Sequence, residues 1–275
     1  MSIKQMLGQF LRARTGSRFT KVLDFEQQKF VEEVSSLLAN EADQRELSAA
    51  DRHALLYRVQ RALLPEFVIA DHGRVLLEDQ NFRETFVRFS DENWTSFERK
   101  WNLNELLKLT RGVAGDFAEC GVFRGGSAYF MCVEAKRSDR HVHLFDSFAG
   151  LSTPNADEDG HWSTGDLAIS EQVVVENLAE HDNFTTYQGW IPERFPAVEE
   201  KIFSFVHIDV DLEQPTADSI EFFFPRLSVG GILLLDDHGS AMCPGARRAA
   251  LHYFADRPEE VLDLATGQGL VIKRS

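Results

Sequence analysis

The stretch Gly115-Asp116-Phe117-Ala118-Glu119-Cys120-Gly121-Val122-Phe123-Arg124-Gly125-Gly126-Ser127 decides how this chain is read. A short apolar run over 117–122 ends among glycines and opens into a helical stretch, the pattern of strand, turn and helix. Glycines at such a turn let the backbone approach a ligand closely, and the helix N-terminus attracts negative charge. The spacing is E-x-G-x-x-x-G-G-S and not the dinucleotide pattern G-x-G-x-x-G. An acid at the strand end, Glu119, suits a cationic, amine-bearing ligand better than a pyrophosphate. A merely structural turn is the alternative for a glycine cluster taken alone, and the context decides against it.

Outward from this turn, short apolar runs recur at 142–145, 184–187, 203–208 and 232–235, each ending near Gly, Asp or Gln. Helical stretches separate them, which predicts an α/β domain with a doubly wound parallel sheet. Pro215 and Pro244 read as first helical positions. The chain closes with two short runs, 261–264 and 270–272, around Thr266-Gly267-Gln268-Gly269, which predicts a terminal hairpin and an antiparallel last strand. Residues 1–112 are helical in character and form an N-terminal extension to a domain over 113–275. Phe30, Val31, Val34, Leu37 and Leu38 share one helical face, as do Leu55, Leu56, Val59, Leu63 and Leu64. Asn102 reads as the cap of a helix carrying Leu103, Leu106 and Leu107, with Gly112 past its end. The apolar stripes need a partner, either the sheet domain or a second subunit, so a homo-oligomer is expected.

The second strand ends at Asp146-Ser147, and Asp146 lies 25 residues beyond Gly121. An acid about 20 residues past the glycines is where a ribose diol is gripped by a carboxylate. An Asp capping a turn is the plain alternative; turn and acid together favour a nucleoside ligand. Strand four ends Val206-His207-Ile208-Asp209-Val210-Asp211, where period two puts His207, Asp209 and Asp211 on one face. Strand five ends Leu235-Asp236-Asp237-His238. If these strands are neighbours, Asp209, Asp236 and Asp237 crowd at one sheet edge. A hard divalent cation, Mg²⁺ or Mn²⁺, would relieve their repulsion, and oxygen-only ligands disfavour zinc. The alternative is that these acids cap helices and are solvated. Asp209, His207 and His238 are the candidate bases.

Composition narrows the function classes. The 275 residues carry a net charge of −15, which disfavours nucleic acid, because a binder must supply Lys and Arg to phosphates. No apolar run approaches the ~18 residues that span a bilayer, and the first residues lack a signal peptide's pattern. Cys120, Cys132 and Cys243 form no C-x-x-C and read as buried thiols of a reducing, cytoplasmic compartment. The 22 Phe predict heavy aromatic packing. A nicotinamide-dependent dehydrogenase or epimerase would show Tyr-x-x-x-Lys; Tyr57, Tyr129, Tyr187 and Tyr253 all lack the lysine. The polar stretch 152–168 lies beside the site and could be a lid, with Trp162 its best candidate for stacking on a sugar ring.

The glycine turn, together with Asp146-Ser147-Phe148-Ala149-Gly150-Leu151, Gln188-Gly189-Trp190-Ile191-Pro192, His207-Ile208-Asp209-Val210-Asp211-Leu212 and Gly230-Gly231 leading to Asp236-Asp237, resembles the macrocin O-methyltransferase family over about residues 90–273. That resemblance implies a Rossmann-like class I methyltransferase fold, S-adenosyl-L-methionine as donor, Mg²⁺ dependence and a small, sugar-bearing acceptor. By motif position it implies that Glu119 and Gly121 line the methionine side of the cofactor, and that Gly125, Ser127 and Ser147 also belong to the cofactor site. It puts Asp146 at the ribose, Gly189 and Trp190 at the adenine, and Asp209, Asp236 and Asp237 on the metal. Phe123 stands where the family usually has Trp or Tyr, and Glu213 where an aromatic residue is common. Acceptors of other classes, a catechol or small phenol, and a non-catalytic binding protein on the same fold are the competing readings.

Overall fold

The computed structural model describes Tyr57 and residues 78–89, 96–155 and 159–275. The chain separates into two compact units, Met1–Arg83 and Glu84–Ser275. The apolar faces expected at 30–38 and 55–64 lie outside the described residues, Tyr57 apart. In chain order the elements are α1 (Gln80–Phe89), α2 (Phe97–Leu107), β1 (Asp116–Cys120), α3 (Gly126–Lys136), β2 (Val142–Asp146), α4 (Glu171–Asn177) and β3 (Phe184–Gln188). Then come β4 (Phe203–Ile208), α5 (Glu213–Arg226), β5 (Leu227–Leu235), α6 (Pro244–Phe254), β6 (Leu262–Asp263) and β7 (Gly269–Ile272).

The seven strands form one sheet in the order β3-β2-β1-β4-β5-β7-β6. Strands β1 to β5 are parallel, and β7 runs antiparallel to β5. The strand order reverses between β1 and β4, so the crevice of a doubly wound sheet opens at the carboxyl ends of those two strands. Every residue of β4 is buried, as expected of a strand covered on both faces. The register pairs Cys120 with Ile208 and Ile208 with Leu235. The acids that follow β4 and β5, Asp209 and Asp236-Asp237, are thereby brought to one edge, beside the glycine turn after β1.

Much of the aromatic packing expected from composition gathers around Phe145 and Phe223, while Phe117 and Phe205 pair separately at 6.0 Å. The ring of Phe145 meets Phe195 at 5.2 Å and Phe223 at 5.6 Å, and Phe223 meets Phe203 at 5.1 Å. Such edge-to-face pairs hold β2, β4 and α5 in fixed relation. Helix α6 starts at Pro244 as expected, whereas Pro215 is the third residue of α5. Asn102 is not a cap: α2 begins at Phe97, and Ser96 caps it by accepting the Arg99 N–H at 3.4 Å. The side chain of Asn102 instead donates to Thr266 and Gln268 in the terminal hairpin. β5 starts at Leu227, earlier than the apolar run, because Gly230 at φ +81° and a register shift let the chain bend within the strand. Among the described residues no helix is long and apolar enough to cross a membrane. The three cysteines are buried and free.

Candidate active site

Gly121 is required first by the sheet itself. It sits at φ +82°, and a Cβ there would lie 1.8 Å from the carbonyl oxygen of Asp209. The close approach lets Asp209 N–H donate to the Cys120 carbonyl at 2.8 Å, which joins the ends of β1 and β4. Gly125, at φ +86°, occupies the N-cap of α3. Asp146 closes the turn from the side. Its Oδ2 accepts the Val122 and Phe123 N–H groups at 2.7 and 3.2 Å, and its Oδ1 accepts the Phe148 N–H at 2.7 Å. The turn-capping and ligand-facing readings of Asp146 are therefore compatible: it ties the turn together and still lines the cleft.

One cavity of ≈ 390 Å³ occupies the crevice, within the range of small-molecule sites. Gly121, Asp146, Ser147 and Trp190 line one half, and Asp209, Asp236 and Asp237 line the other. Gly125, Gly189 and Ser127 do not reach its surface. Ser127 is buried, its Oγ accepting from Lys100 Nζ at 2.6 Å. Glu119 is also buried; its Oε1 meets His207 Nδ1 at 2.9 Å, and its Oε2 has no hydrogen-bond partner among the described residues. Phe123 lines the cavity with its backbone at φ +47°.

In the acidic half each carboxylate is anchored by one oxygen and presents the other. Asp236 Oδ1 meets Gln268 Nε2 at 2.8 Å and His207 Nε2 at 3.3 Å. Asp237 Oδ2 accepts the Asp211 N–H at 3.0 Å. The free oxygens, Asp236 Oδ2 and Asp237 Oδ1, lie 3.1 and 3.8 Å from one atom, Arg99 Nη1. Asp209 Oδ2 lies 3.6 Å from Lys100 Nζ. Desolvation and the neighbouring Asp236 charge push the Asp209 carboxyl up. Burial and crowding by Asp211, Asp209 and Asp236 push Asp237 well above the carboxylate range. Burial would raise Asp236 too, but Lys100, His207 and Arg99 surround it and hold it below that range.

Asp211 does not share the environment of His207 and Asp209. β4 stops at Ile208, and Asp211 turns out of strand geometry at φ +61°. Its ligand atoms group with Asp237 and Cys243, whereas His207 and Asp209 group with Asp236. Burial and the Asp209 charge raise Asp211 to about 7.

Neither histidine meets the cavity, contrary to the expectation that one could serve as base. His207 has no exposed surface and spends both ring nitrogens on Glu119 and Asp236. Burial alone would lower it, but those two partners raise the imidazole to about 9, so it is already protonated at neutral pH. His238 is buried beside Asp263 of β6, with Nε2 3.0 Å from that carboxylate. His238 lies in the turn past the end of β5 and packs against Gly269 of the terminal hairpin.

Sequence reasoning missed Arg99 and Lys100. Two adjacent cations early in a helix carry no motif, and only the docking of α2 over the carboxyl edge gives them meaning. Burial would lower Lys100, but Asp209, Asp236 and Glu119 keep its ammonium charged above its ordinary value. Arg99 also donates from Nε to the Thr266 carbonyl at 3.2 Å, so the terminal hairpin steadies it.

The remaining wall is apolar. Trp162, Leu151, Leu167, Leu212 and Cys243 pack together beside the acids. Trp162 is 8% exposed and forms part of this wall. The described part of 152–168 is tied down: Gly165 N–H donates to the Leu151 carbonyl at 2.9 Å, and Asp159 Oδ2 accepts the Glu213 N–H at 3.3 Å, capping the start of α5.

The chain is similar to several O-methyltransferases. An 8-demethyl-8-(2,3-dimethoxy-α-L-rhamnosyl)-tetracenomycin-C 4′-O-methyltransferase of Streptomyces olivaceus is 32% identical over 54% of this chain and 61% of its own length. The chain thus matches somewhat under two thirds of that relative. A demethyldecarbamoylnovobiocin O-methyltransferase of Streptomyces niveus is 29% identical over 64% of this chain and 75% of its own. Among solved structures, the O-methyltransferase NovP superposes with a TM-score of 0.58 at 25% identity, covering 70% of this chain and 88% of that one. The calicheamicin methyltransferase CalS11 has the same fold at 16% identity and a TM-score of 0.57, over 94% of this chain and 97% of its own. The family model of the macrocin-O-methyltransferases matches residues 96–260, and with more than half its length inside that match the chain belongs to the macrocin-O-methyltransferase family.

Proposed function

We propose that the protein is an S-adenosyl-L-methionine-dependent O-methyltransferase acting on a hydroxyl of a sugar or glycosylated natural product, with Mg²⁺ or Mn²⁺ at Asp209, Asp236 and Asp237. The observation that carries this reading is the single cavity whose two halves are lined by Gly121, Asp146 and Trp190 on one side and by the three acids on the other. A donor seated in the first half would present its methyl group toward an acceptor held against the second. Named acceptors of the relatives, a rhamnosyl tetracenomycin and a novobiocin precursor, are the models for the substrate class.

The donor set fits a hard cation. Asp209 and Asp236 group with His207, and Asp237 with Asp211 and Cys243, so most ligand atoms at the cavity are carboxylate oxygens; their crowding raises Asp209 and Asp237, a strain that a divalent charge would relieve. When bound, such an ion lowers the pKa of a coordinated hydroxyl and orients it. The chain's own residues do the rest. When bound, the donor would supply an activated methyl group for the acceptor oxygen and would leave as the thioether; Gly121, Asp146 and Trp190 would hold it. The hydroxyl proton goes to a base, and Asp209, which lines the cavity, is the candidate. Trp162, Leu151 and Leu167 supply an apolar face for the acceptor and limit water. Asp146, braced by three backbone donors, offers its remaining lone pairs to the ribose.

The test is methyl transfer from labelled donor across a panel of glycosylated acceptors and small phenols, with and without chelator. Activity on the glycosylated acceptors should vanish in EDTA and return with Mg²⁺ or Mn²⁺, and zinc should restore it poorly. Full activity in chelator would overturn the metal site. Transfer only to phenols would overturn the acceptor class.

A further inference from the structure

Arg99 sits where the acidic half of the cleft has a place for a cation. Asp236 and Asp237 are each pinned by one oxygen, through His207 and Gln268 in one case and the Asp211 N–H in the other. Their two remaining oxygens converge on Arg99 Nη1. Nη1 donates a hydrogen bond to Asp236 Oδ2 at 3.1 Å and is a looser ion-pair partner of Asp237 Oδ1 at 3.8 Å, whereas Mg²⁺ draws carboxylate oxygens to about 2.0–2.1 Å. The two cations of α2 are held differently. Lys100 is buried, with its ammonium on Ser127 Oγ and beside Asp209. The Arg99 side chain is 23% exposed, lines the cavity, and is tethered outside the acids only through Nε on Thr266.

We propose that Arg99 is a built-in counter-cation that holds Asp236 and Asp237 together in the metal-free chain and competes with the divalent ion for their free oxygens, so that it sets metal affinity. This inference rests on the metal reading above. Lys100 is the fixed charge of the site and Arg99 the exchangeable one. The long side chain lets the guanidinium swing off the acids, exchanging its bonds to Asp236 and Thr266 for water. A metal-free site is thereby kept from bursting apart by like-charge repulsion, at the cost of weaker ion binding.

The experiment is a Mn²⁺ titration of the full chain, read as the loss of the free-ion electron paramagnetic resonance signal, without donor or acceptor. The parent, Arg99→Gln, Arg99→Lys and Asp209→Asn are compared. Arg99→Gln should bind Mn²⁺ roughly two- to fivefold more tightly than the parent, the scale of one partly exposed ion pair. Arg99→Lys keeps the charge but loses the planar group that the Nε bond to Thr266 aims at the two oxygens, and should fall between them. The melting temperature of Arg99→Gln should lie below the parent's without metal and rise more when Mg²⁺ is added. Unchanged or weaker Mn²⁺ binding by Arg99→Gln, with the parent binding and Asp209→Asn impaired, would overturn the role of Arg99 and leave the metal site standing. Absence of binding by both parent and Arg99→Gln would overturn the metal site, and the proposal with it. If Arg99→Gln does not fold, Arg99→Lys decides by the same measure: tighter binding than the parent supports competition, and equal binding refutes it.

Discussion

Asp146 and Asp236 end two strands of one sheet and face the same cleft, yet they are neutralised by different chemistry. Asp146 accepts three backbone N–H groups, from Val122, Phe123 and Phe148. Asp236 is surrounded by side chains, His207, Gln268 and Arg99. Backbone donors come with the strand, turn and helix, carry no net charge and cannot leave. Side-chain cations carry a full charge, come from a distant helix and can be exchanged. The glycine-turn half of the cleft is therefore built by the fold, while the acidic half is balanced by a set of charges that a metal would rearrange.

The contrast is broken most severely by removing the fixed charge. Lys100→Met leaves Asp209, Asp236 and Glu119 around an emptied buried position, and should cost about 3 kcal/mol of metal-free stability. Chemical denaturation should show the loss, with much of it recovered in Mg²⁺. An unchanged midpoint would mean that Lys100 does not hold the acids. Next, Asp209→Asn should lower turnover by about 10²–10³-fold, since it removes a metal ligand and the candidate base together. S-adenosylhomocysteine affinity, measured by calorimetry, should survive, because the other half of the cleft is built separately. A parallel loss of that affinity would join the two halves.

The third change attacks the backbone-braced half. Asp146→Ala should weaken cofactor binding by roughly 1–3 kcal/mol, by leaving ligand hydroxyls and turn amides without their acceptor. Equal calorimetric affinities would remove Asp146 from the ribose. The smallest effect belongs to an acid outside the cleft. Burial would raise Asp116, but hydrogen bonds from His143 and the His141 N–H, with Lys201 nearby, lower it to about 2. A folded-state pKa below the unfolded value stabilises above pH 4 and loses that contribution as pH falls toward 2. Asp116→Asn should flatten the acid limb of the stability curve by about 1 kcal/mol or less, the residue being partly exposed, and leave metal and cofactor binding unchanged.

Local chemistry sufficed to determine much of this protein from its sequence. The alternation of short apolar runs with helical stretches dictated a doubly wound sheet, because buried parallel strands need continuous apolar residues and crossovers need length. The glycine turn, Asp146 and the Asp209, Asp236 and Asp237 set were legible because strand ends in such a sheet converge whatever the side chains between them. The antiparallel end was legible in the Gly-rich turn at 266–269. Tertiary structure alone decided the rest. It made Gly121 necessary through contact with the Asp209 carbonyl, a neighbour 88 positions away. It sealed His207 between two acids and turned His238 toward Asp263, because which way a histidine faces depends on what packs around it. It separated Asp211 from Asp209 where β4 stops, and it made Asn102 a buttress of the terminal hairpin rather than a cap. Above all it brought Arg99 and Lys100 over the acids. Charge balance is a property of three-dimensional proximity, and two basic residues in a helix carry no sign in the sequence of which carboxylates they will meet.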